Sequence, residues 1–351
     1  MARASTPVSG EALLLPARQA VRAVARARLR RAVEQAARLH VPGEPPATDD
    51  ATPPATYADD PEAVHDFRVA LRRLRSWMRA FRPHLADTVR KKTERRLQRL
   101  ARIAGRARDL EVQSQWLRAL PPRSPALTLA AAHWLEQANG VAYDAARRKL
   151  AREVAADFPS LADKLDRQLA HYLLDVDVDA PARERPLGAV MAPLLREHRD
   201  AVLEKLAAVQ TREQLTEAHA ARIAVKRLRY LLEALDDVSR PGRAVVKRLA
   251  ALQHEFGELH DAQVLADRVA AEIAAGERRR LKRAAAAVEP AADGRPAPRA
   301  FASLQRRLAR RMAGDATRAL RVAHAAQTRQ SLATVDDIAA RLEREDAARA
   351  P

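Results

Sequence analysis

The chain contains the same basic helix motif twice. The first copy, HDFRVALRRLR, begins at His65, and the second copy, HAARIAVKRLR, begins at His219. In both copies an arginine follows three residues after the histidine, and the offset between the copies is 154 residues (219 − 65). Guanidinium groups bind phosphate oxygens through paired hydrogen bonds and keep their charge. The repeat therefore predicts a duplicated anion-binding element.

Helical periodicity separates each motif into an apolar face and a basic stripe. The apolar face of the first copy comprises Val64, Phe67, Leu71, Leu74, Met78 and Phe81. The basic stripe comprises His65, Arg68, Arg72, Arg75 and Arg79 in the first copy and His219, Arg222, Lys226 and Arg229 in the second, with Arg73 and Arg227 beside it. Like charges at these spacings repel by a few tenths of a kcal/mol per pair. A bound anion explains the stripe better than folding does.

The helix after each motif supplies a second line of candidate residues and ends in a glycine motif. The first-half line comprises Arg95, Arg99, Arg102, Arg106 and Asp109, and the equivalents in the second half are Lys247, Ala251, His254, Glu258 and Asp261. The glycine motifs are AGRARD, ending at Asp109, and FGELHD, ending at Asp261, at an offset of 152 residues (261 − 109). We expect these two aspartates to orient neighbouring Arg or His side chains, because a carboxylate that faces phosphate repels it.

Helices must position these residues, because helix-forming residues dominate and the chain has only 10 glycines. We predict helices near 15–40, 62–82, 87–119, 125–156, 159–175, 187–209, 213–238, 241–274, 276–288, 300–326 and 331–347. The predicted fold is all-α, with two four-helix-bundle-like halves related by an internal pseudo-twofold duplication. The predicted division is an N-terminal tail (1–11), a first half (12–180) that includes a Pro-rich loop at 42–61, and a second half (187–347).

Composition restricts the classes of function. The formal net charge of +18 over 351 residues favours a polyanionic partner. The absence of cysteine excludes disulfides and thiolate metal sites. The apolar run at 13–15 is too short for a signal peptide or a membrane span, so we expect a cytoplasmic protein with no membrane partner. The aromatic content of 3% leaves few platforms for stacking bases.

The repeated pattern H-x-x-R-x-x-x-[RK]-R-L-R, together with GRARD and GELHD, resembles the CHAD domain (conserved histidine α-helical domain). The resemblance covers roughly residues 12–345. It implies two four-helix bundles whose shared basic surface binds inorganic polyphosphate. The His and Arg residues of the two stripes would line that surface, Arg108 would match the motif arginine of the family, and His260 would be its second-half counterpart. The resemblance implies no catalytic residue, cofactor or metal.

Polyphosphate is thus the expected partner of a non-catalytic polyphosphate-binding or granule-associated protein; granule association, regulation and the oligomeric state stay open. Non-specific nucleic-acid binding, strongest at low salt, is the alternative. A metal-dependent phosphohydrolase is a weaker alternative, because His65 and Asp66, or His260 and Asp261, are adjacent residues whose side chains point about 100° apart on a helix. The two motif histidines either contact phosphate or donate to a backbone carbonyl near a helix start.

Overall fold

A computed structural model describes residues 8–39, 62–170, 184–235, 239–285 and 294–347. About 85% of these residues are helical, and no strand occurs in the five ranges, which confirms the predicted all-α class. The helices are α1 (Ala17–Ala36), α2 (Ala63–Ala80), α3 (Lys91–Arg118), α4 (Ala126–Ala170), α5 (Leu187–Ala207), α6 (Leu215–Leu232), α7 (Arg240–Ala285), α8 (Pro298–Ala323) and α9 (Ala326–Ala347). Short 3₁₀ turns follow α2 at Arg82–His84 and α6 at Glu233–Leu235.

Two predicted helix breaks are wrong. Helix α4 continues through Pro159, which is exposed, so the ring costs one backbone hydrogen bond on the solvent side. The neighbouring Phe158 and Leu161 are buried and hold both parts of α4 on the core. Helix α7 continues through Gly276, where the guanidinium of Arg295 lies 3.5 Å from the position that a Cβ atom would occupy. Tertiary packing thus overrides both local breakers.

The helices pack in the same order in the two halves. Helix α1 packs on α2 and α4, and α3 packs on the same two helices. In the second half α5 packs on α6 and α9, and α7 packs on α6, α8 and α9. Helix α8 also packs on α4 and joins the halves at the far end. The internal duplication itself stays a prediction from the sequence repeat.

Two apolar cores result from this packing. The larger core runs through both halves, from Val8 to Leu342, and includes the apolar faces of α2 and α6. A smaller core lies where the end of α3 and the start of α4 meet α7 and α8, around Leu135, Leu265 and Phe301. The long helices therefore take part in two cores, which fixes α3 and α7 beside α2 and α6.

The starts of α1 and α5 form a reciprocal pair of backbone hydrogen bonds. The amide of Ala17 donates to the carbonyl of Arg185, and the amide of Leu187 donates to the carbonyl of Leu15, both at 3.0 Å. The bonded positions are related by an offset of 170 residues (187 − 17 and 185 − 15). This contact sets α1 and α5 side by side, with α2 and α6 beyond them.

Glu233 joins the halves electrostatically. Its buried carboxylate accepts a hydrogen bond from Arg73 of α2 at 3.2 Å and forms an ion pair with Arg229 of α6 at 2.7 Å. Charged hydrogen bonds that are shielded from water are stronger than exposed ones. Glu233 therefore fixes the α2–α6 junction.

Several predicted segments lie outside the described residues. These are most of the N-terminal tail, the Pro-rich loop at 42–61 and the parts of the connectors at 171–183 and 286–293.

Glu233→Gln should destabilise the fold, because both arginines would lose a buried counter-charge. We expect a loss of about 2–4 kcal/mol in the free energy of unfolding, measured by urea denaturation. The matched control is Glu204→Gln, whose carboxylate is 70% exposed in its pair with Lys205. The control should change stability by less than about 0.5 kcal/mol. Equal losses in the two variants would contradict this role of Glu233.

Candidate anion-binding site

The basic stripes of α2 and α6 meet between the two halves. Their apolar neighbours are buried: Phe67 and Leu71 in α2 and Val225 in α6 have no exposed area. Because α2 contacts α6 and α3 contacts α7, the stripes come together in the region that these four helices border, which we call the cleft. The core contacts of the apolar faces therefore bring together cations that repel each other.

Four cations form the centre of the cleft, and we call them the central cluster. They are Arg68, Arg72, Arg222 and Lys226. Burial lowers the pKa of Arg68, Arg72 and Lys226, and charge repulsion by other members of the cluster lowers each of these pKa values further. In the described part of the chain, no carboxylate lies within 4.0 Å of any of the four. The cluster thus holds positive charge that the protein does not neutralise by ion pairs.

Buried donors of the central cluster also lack partners. Among the described residues, the Nε groups of Arg68, Arg72 and Arg222 have no hydrogen-bond acceptor and are shielded from solvent. The guanidinium of Arg72 lies 5.3 Å from the ring centroid of Tyr230, and that of Arg229 lies 5.0 Å from the same ring. An unsatisfied buried donor costs about 1–3 kcal/mol. An acceptor-rich ligand in the cleft would remove that cost.

Lys226 shows the combined effect of burial and repulsion. Burial and then the charges of Arg72, Arg222 and Arg68 lower its pKa to about 7. Burial similarly lowers the pKa of Arg72 to about 10. A bound polyanion would reverse both effects, because a nearby negative charge favours the protonated form.

His65, His219 and His260 lie beside the central cluster. Burial and then Arg222 lower the pKa of His260 to about 4, and burial lowers the pKa of His65 and of His219. The rings of His219 and His260 are 4.7 Å apart. Nδ1 of His65 is buried and has no hydrogen-bond partner in the described ranges, so the predicted bond to a backbone carbonyl is not formed there. Burial therefore favours the neutral form of all three rings when no anion is bound.

Asp109 and Asp261 face the central cluster from α3 and α7. Burial raises the pKa of both carboxyl groups, against the opposing charges of Arg68 and Arg222. Asp109 keeps contact with solvent, which fits a carboxylate on the wall of an open cleft. Neither carboxylate forms an ion pair with a described residue. They act on the arginines at a distance and do not neutralise them.

The first half extends the positive surface beyond the centre. Burial lowers the pKa of Arg75, and the next causes are the charges of Arg79 and Arg102. A pocket of about 210 Å³ lies there, lined by Arg75, Arg79, Arg82 and Glu94 among others. The corresponding second-half residue, Arg229, is bound to Glu233 instead. The cleft is therefore more basic towards the first half.

Several predicted site residues lie away from the central cluster. Arg73 is bound to Glu233, and Arg227 lines a separate cavity beside His198. Arg99 pairs with Glu153 and Asp157 of α4. The remaining outlying positions have exposed side chains: Arg95, Arg106, Lys247 and His254. Arg108 is near the centre, where it lowers the pKa of His65 and donates to Glu111 at 2.6 Å.

Tyr230 and Glu233 belong to the site region but were not predicted from the sequence. Tyr230 is 2% exposed, and the guanidinium groups of Arg72 and Arg229 lie over its ring. Both residues follow directly after the cations of the second motif, where the first motif has Ser76 and Arg79. That departure from the repeat is the signal that would have marked them.

One group in the described residues has the composition of a metal site. Side-chain ligand atoms of Glu62, His65 and Asp66 lie within 4.8 Å of one another. Asp66, however, accepts from Arg38 at 2.6 Å, so this carboxylate is already neutralised. The group lies at the start of α2 and outside the central cluster.

The cleft residues carry the motif of a known family, and its sequence profile, that of the CHAD domain, matches residues 47–270. The chain belongs to the CHAD domain family. Its structure is similar to the crystal structure of the CHAD domain from the plant Ricinus communis, with a TM-score of 0.59 and 22% sequence identity over 93% of this chain and 96% of that chain. A search of curated proteins gave no match. None of the described helices of this CHAD protein is long and apolar enough to cross a membrane.

Lys226→Met should stabilise the protein, because it removes a charge that burial and neighbouring arginines oppose. The pKa of Lys226 is about 7 in the folded protein, below the usual value of 10.5. Between these two pH values only the unfolded chain keeps the proton, so the free energy of unfolding of the wild type rises with pH. The gain should reach about 1–2 kcal/mol below pH 7 and decline towards pH 10.

Urea denaturation at pH 6 and pH 9.5 measures this effect. The exposed Lys164→Met is the matched control and should behave like the wild type at both values. A gain that does not depend on pH would show that Lys226 is not under electrostatic stress.

Proposed function

We propose that the cleft binds inorganic polyphosphate. The observation that carries the proposal is the central cluster: four cations from two helices, with unsatisfied buried donors and no ion pair to a described carboxylate. Phosphate oxygens accept hydrogen bonds from guanidinium groups in the paired geometry that these donors offer. The ligand would neutralise the charge that the fold concentrates there.

The arrangement suits a linear polyanion better than a single phosphate. Cations along α2 recur about every helical turn, roughly 5.4 Å, from Arg68 to Arg79. The positive surface passes from the central cluster into the outer pocket at Arg75. A chain of phosphates can contact these groups in succession, whereas one phosphate can contact only a few. We therefore propose a single shared surface that is stronger towards the first half.

Nucleic acid fits the same surface less well. Base recognition in single strands relies on aromatic stacking, and the aromatic ring nearest the cluster, Tyr230, is buried under Arg72 and Arg229. Polyphosphate has no bases and loses nothing from this. Binding rather than hydrolysis is the proposed role, because fixed cations that hold substrate and transition state equally do not accelerate a reaction. Association with polyphosphate granules would follow from such binding.

The triple variant Arg68→Ala, Arg72→Ala, Arg222→Ala should lose at least about tenfold in polyphosphate affinity, since each charged hydrogen bond contributes about 1.5–3 kcal/mol. Fluorescence anisotropy of labelled polyphosphate at about 150 mM salt measures the dissociation constant. The matched control replaces Arg30, Arg152 and Arg310 by Ala, three exposed arginines with the same total charge change. Equal losses of affinity in the two triple variants would show that binding depends on total charge and not on this site.

Competition between polyphosphate and duplex DNA separates the two polyanions. At physiological salt, unlabelled polyphosphate should displace the labelled chain at a phosphate concentration at least about tenfold below that needed with DNA. Competition by DNA that is equal or better would contradict the assignment.

Polyphosphate affinity should fall as the pH rises above 7, because binding requires protonation of Lys226, whose pKa in the free protein is about 7. One coupled proton corresponds to a loss of up to about tenfold per pH unit. Lys226→Arg keeps the charge at every pH and should flatten the profile between pH 7 and 9. Anisotropy titrations across this range test the prediction, and parallel profiles for the two proteins would contradict it.

A further inference from the structure

A second cavity, which shares no residue with the central cluster, is enclosed by α2, α5 and α6 and has a volume of about 330 Å³. Its polar lining includes Arg79, Arg227 and His198, and its apolar lining includes Trp77, Leu194 and Leu231. Neither arginine forms an ion pair with a described residue, although the exposed Glu197 also lines the cavity. The cavity thus combines two cations with an apolar wall.

The sequence repeat identifies the equivalent place in the first half. The offset of 154 residues relates Arg73 to Arg227 (73 + 154) and Trp77 to Leu231 (77 + 154). The offset of 170 residues between α1 and α5 relates Arg28 to His198 (28 + 170). The two places can therefore be compared residue by residue.

In the first half the equivalent place is filled by the protein. Arg28 is 5% exposed, its guanidinium lies 4.7 Å from the ring centroid of Trp77, and it donates to the carbonyl of Arg73 at 3.1 Å. Arg73 in turn donates to Glu233 at 3.2 Å. A space of only about 30 Å³ remains beside these residues. Cation, ring and carboxylate together fill the first-half site.

In the second half each of these three groups is changed. His198 is shorter than Arg28, and Leu231 is smaller than Trp77, which leaves the larger volume. The position equivalent to Glu233 is Arg79 (79 + 154), so a cation stands where the first-half site has its carboxylate. The second-half site therefore lacks both the side-chain volume and the negative charge that complete the first.

Tyr230 provides a further polar group that lacks a partner. Its side chain is 2% exposed and lines the cavity, and its hydroxyl group is buried without a hydrogen-bond partner among the described residues. A buried hydroxyl without a partner costs about 1–3 kcal/mol. The charge of this group acts on Arg68 and Arg72, so the hydroxyl faces the central cluster and the ring alone lines the cavity.

We infer that this cavity binds a small organic anion, one phosphate or carboxylate on a compact apolar body, whose oxyanion takes the place that the Glu233 carboxylate has in the first half. Arg79 and Arg227 bind the oxyanion, and Leu194 and Leu231 contact the apolar body. The site is separate from the central cluster, although Arg79 also lines the outer pocket of the polyphosphate surface, and its ligand is too small to occupy both.

The probe is 1-naphthyl phosphate, and its binding to the full chain is measured by its change in fluorescence. Inorganic phosphate and 1-naphthol serve as competitors that carry the anion alone and the apolar body alone. Each should bind at least about tenfold more weakly than the probe itself, because each makes only part of the contacts. Affinity equal to that of the probe for either competitor would overturn the assignment.

Two variants convert the second-half site towards the first. Leu231→Trp fills the cavity without a change of charge. It should weaken probe binding at least about tenfold and leave the polyphosphate affinity within about twofold of the wild-type value. Arg79→Glu restores the carboxylate beside Arg227; it should weaken the probe at least about tenfold and raise Tm by about 1–2 °C through the new ion pair. The charge-matched control is the exposed Arg310→Glu, which should change neither the probe affinity nor Tm.

The variant Arg68→Ala, Arg222→Ala separates this site from the polyphosphate cleft, and it should bind the probe like the wild type. Circular dichroism shows whether Leu231→Trp folds, and Arg79→Glu decides the matter if it does not. Unchanged probe affinity in Arg79→Glu, or loss of the probe in the double-alanine variant, would overturn the proposed site.

Discussion

Repulsion between the cations at the α2–α6 junction is the interaction on which the rest of the structure depends. Arg68, Arg72, Arg222 and Lys226 share a partly buried cleft, where burial and then the charges of the three arginines lower the pKa of Lys226 to about 7. The apolar faces of the same helices supply the compensating free energy, since Phe67, Leu71 and Val225 are completely buried. The core thus holds an electrostatic arrangement that would not form by itself.

The protein neutralises its arginines selectively. Glu233 binds Arg73 and Arg229 and fixes the junction, yet no equivalent carboxylate reaches the central cluster in the described ranges. Asp109 and Asp261 stay beyond ion-pair distance, and burial raises the pKa of both. The division separates arginines that build the fold from arginines that remain available for a ligand. It also makes the halves unequal, because Arg75 stays open while its counterpart Arg229 does not.

Much of this was predictable from the sequence because helical periodicity is a local property. The all-α class, the buried faces of α2 and α6 and the separation of Leu71 from Arg72 follow from spacing alone. The continuation of α4 through Pro159 was not predictable, because burial of Phe158 and Leu161 on the tertiary core decides it. Nor was the pairing of Arg73 with Glu233, which are 160 residues apart in sequence. The role of the cleft residues in binding stays a prediction.

The central claim is that a linear polyanion lies between α2 and α6. A crystal structure of the full chain with a short polyphosphate tests it most directly. We expect phosphate oxygens within hydrogen-bond distance, about 2.7–3.2 Å, of Arg68, Arg72 and Arg222, and we expect the polyphosphate chain to continue towards Arg75. An ordered polyphosphate on another surface, with the cleft between α2 and α6 left empty, would contradict it.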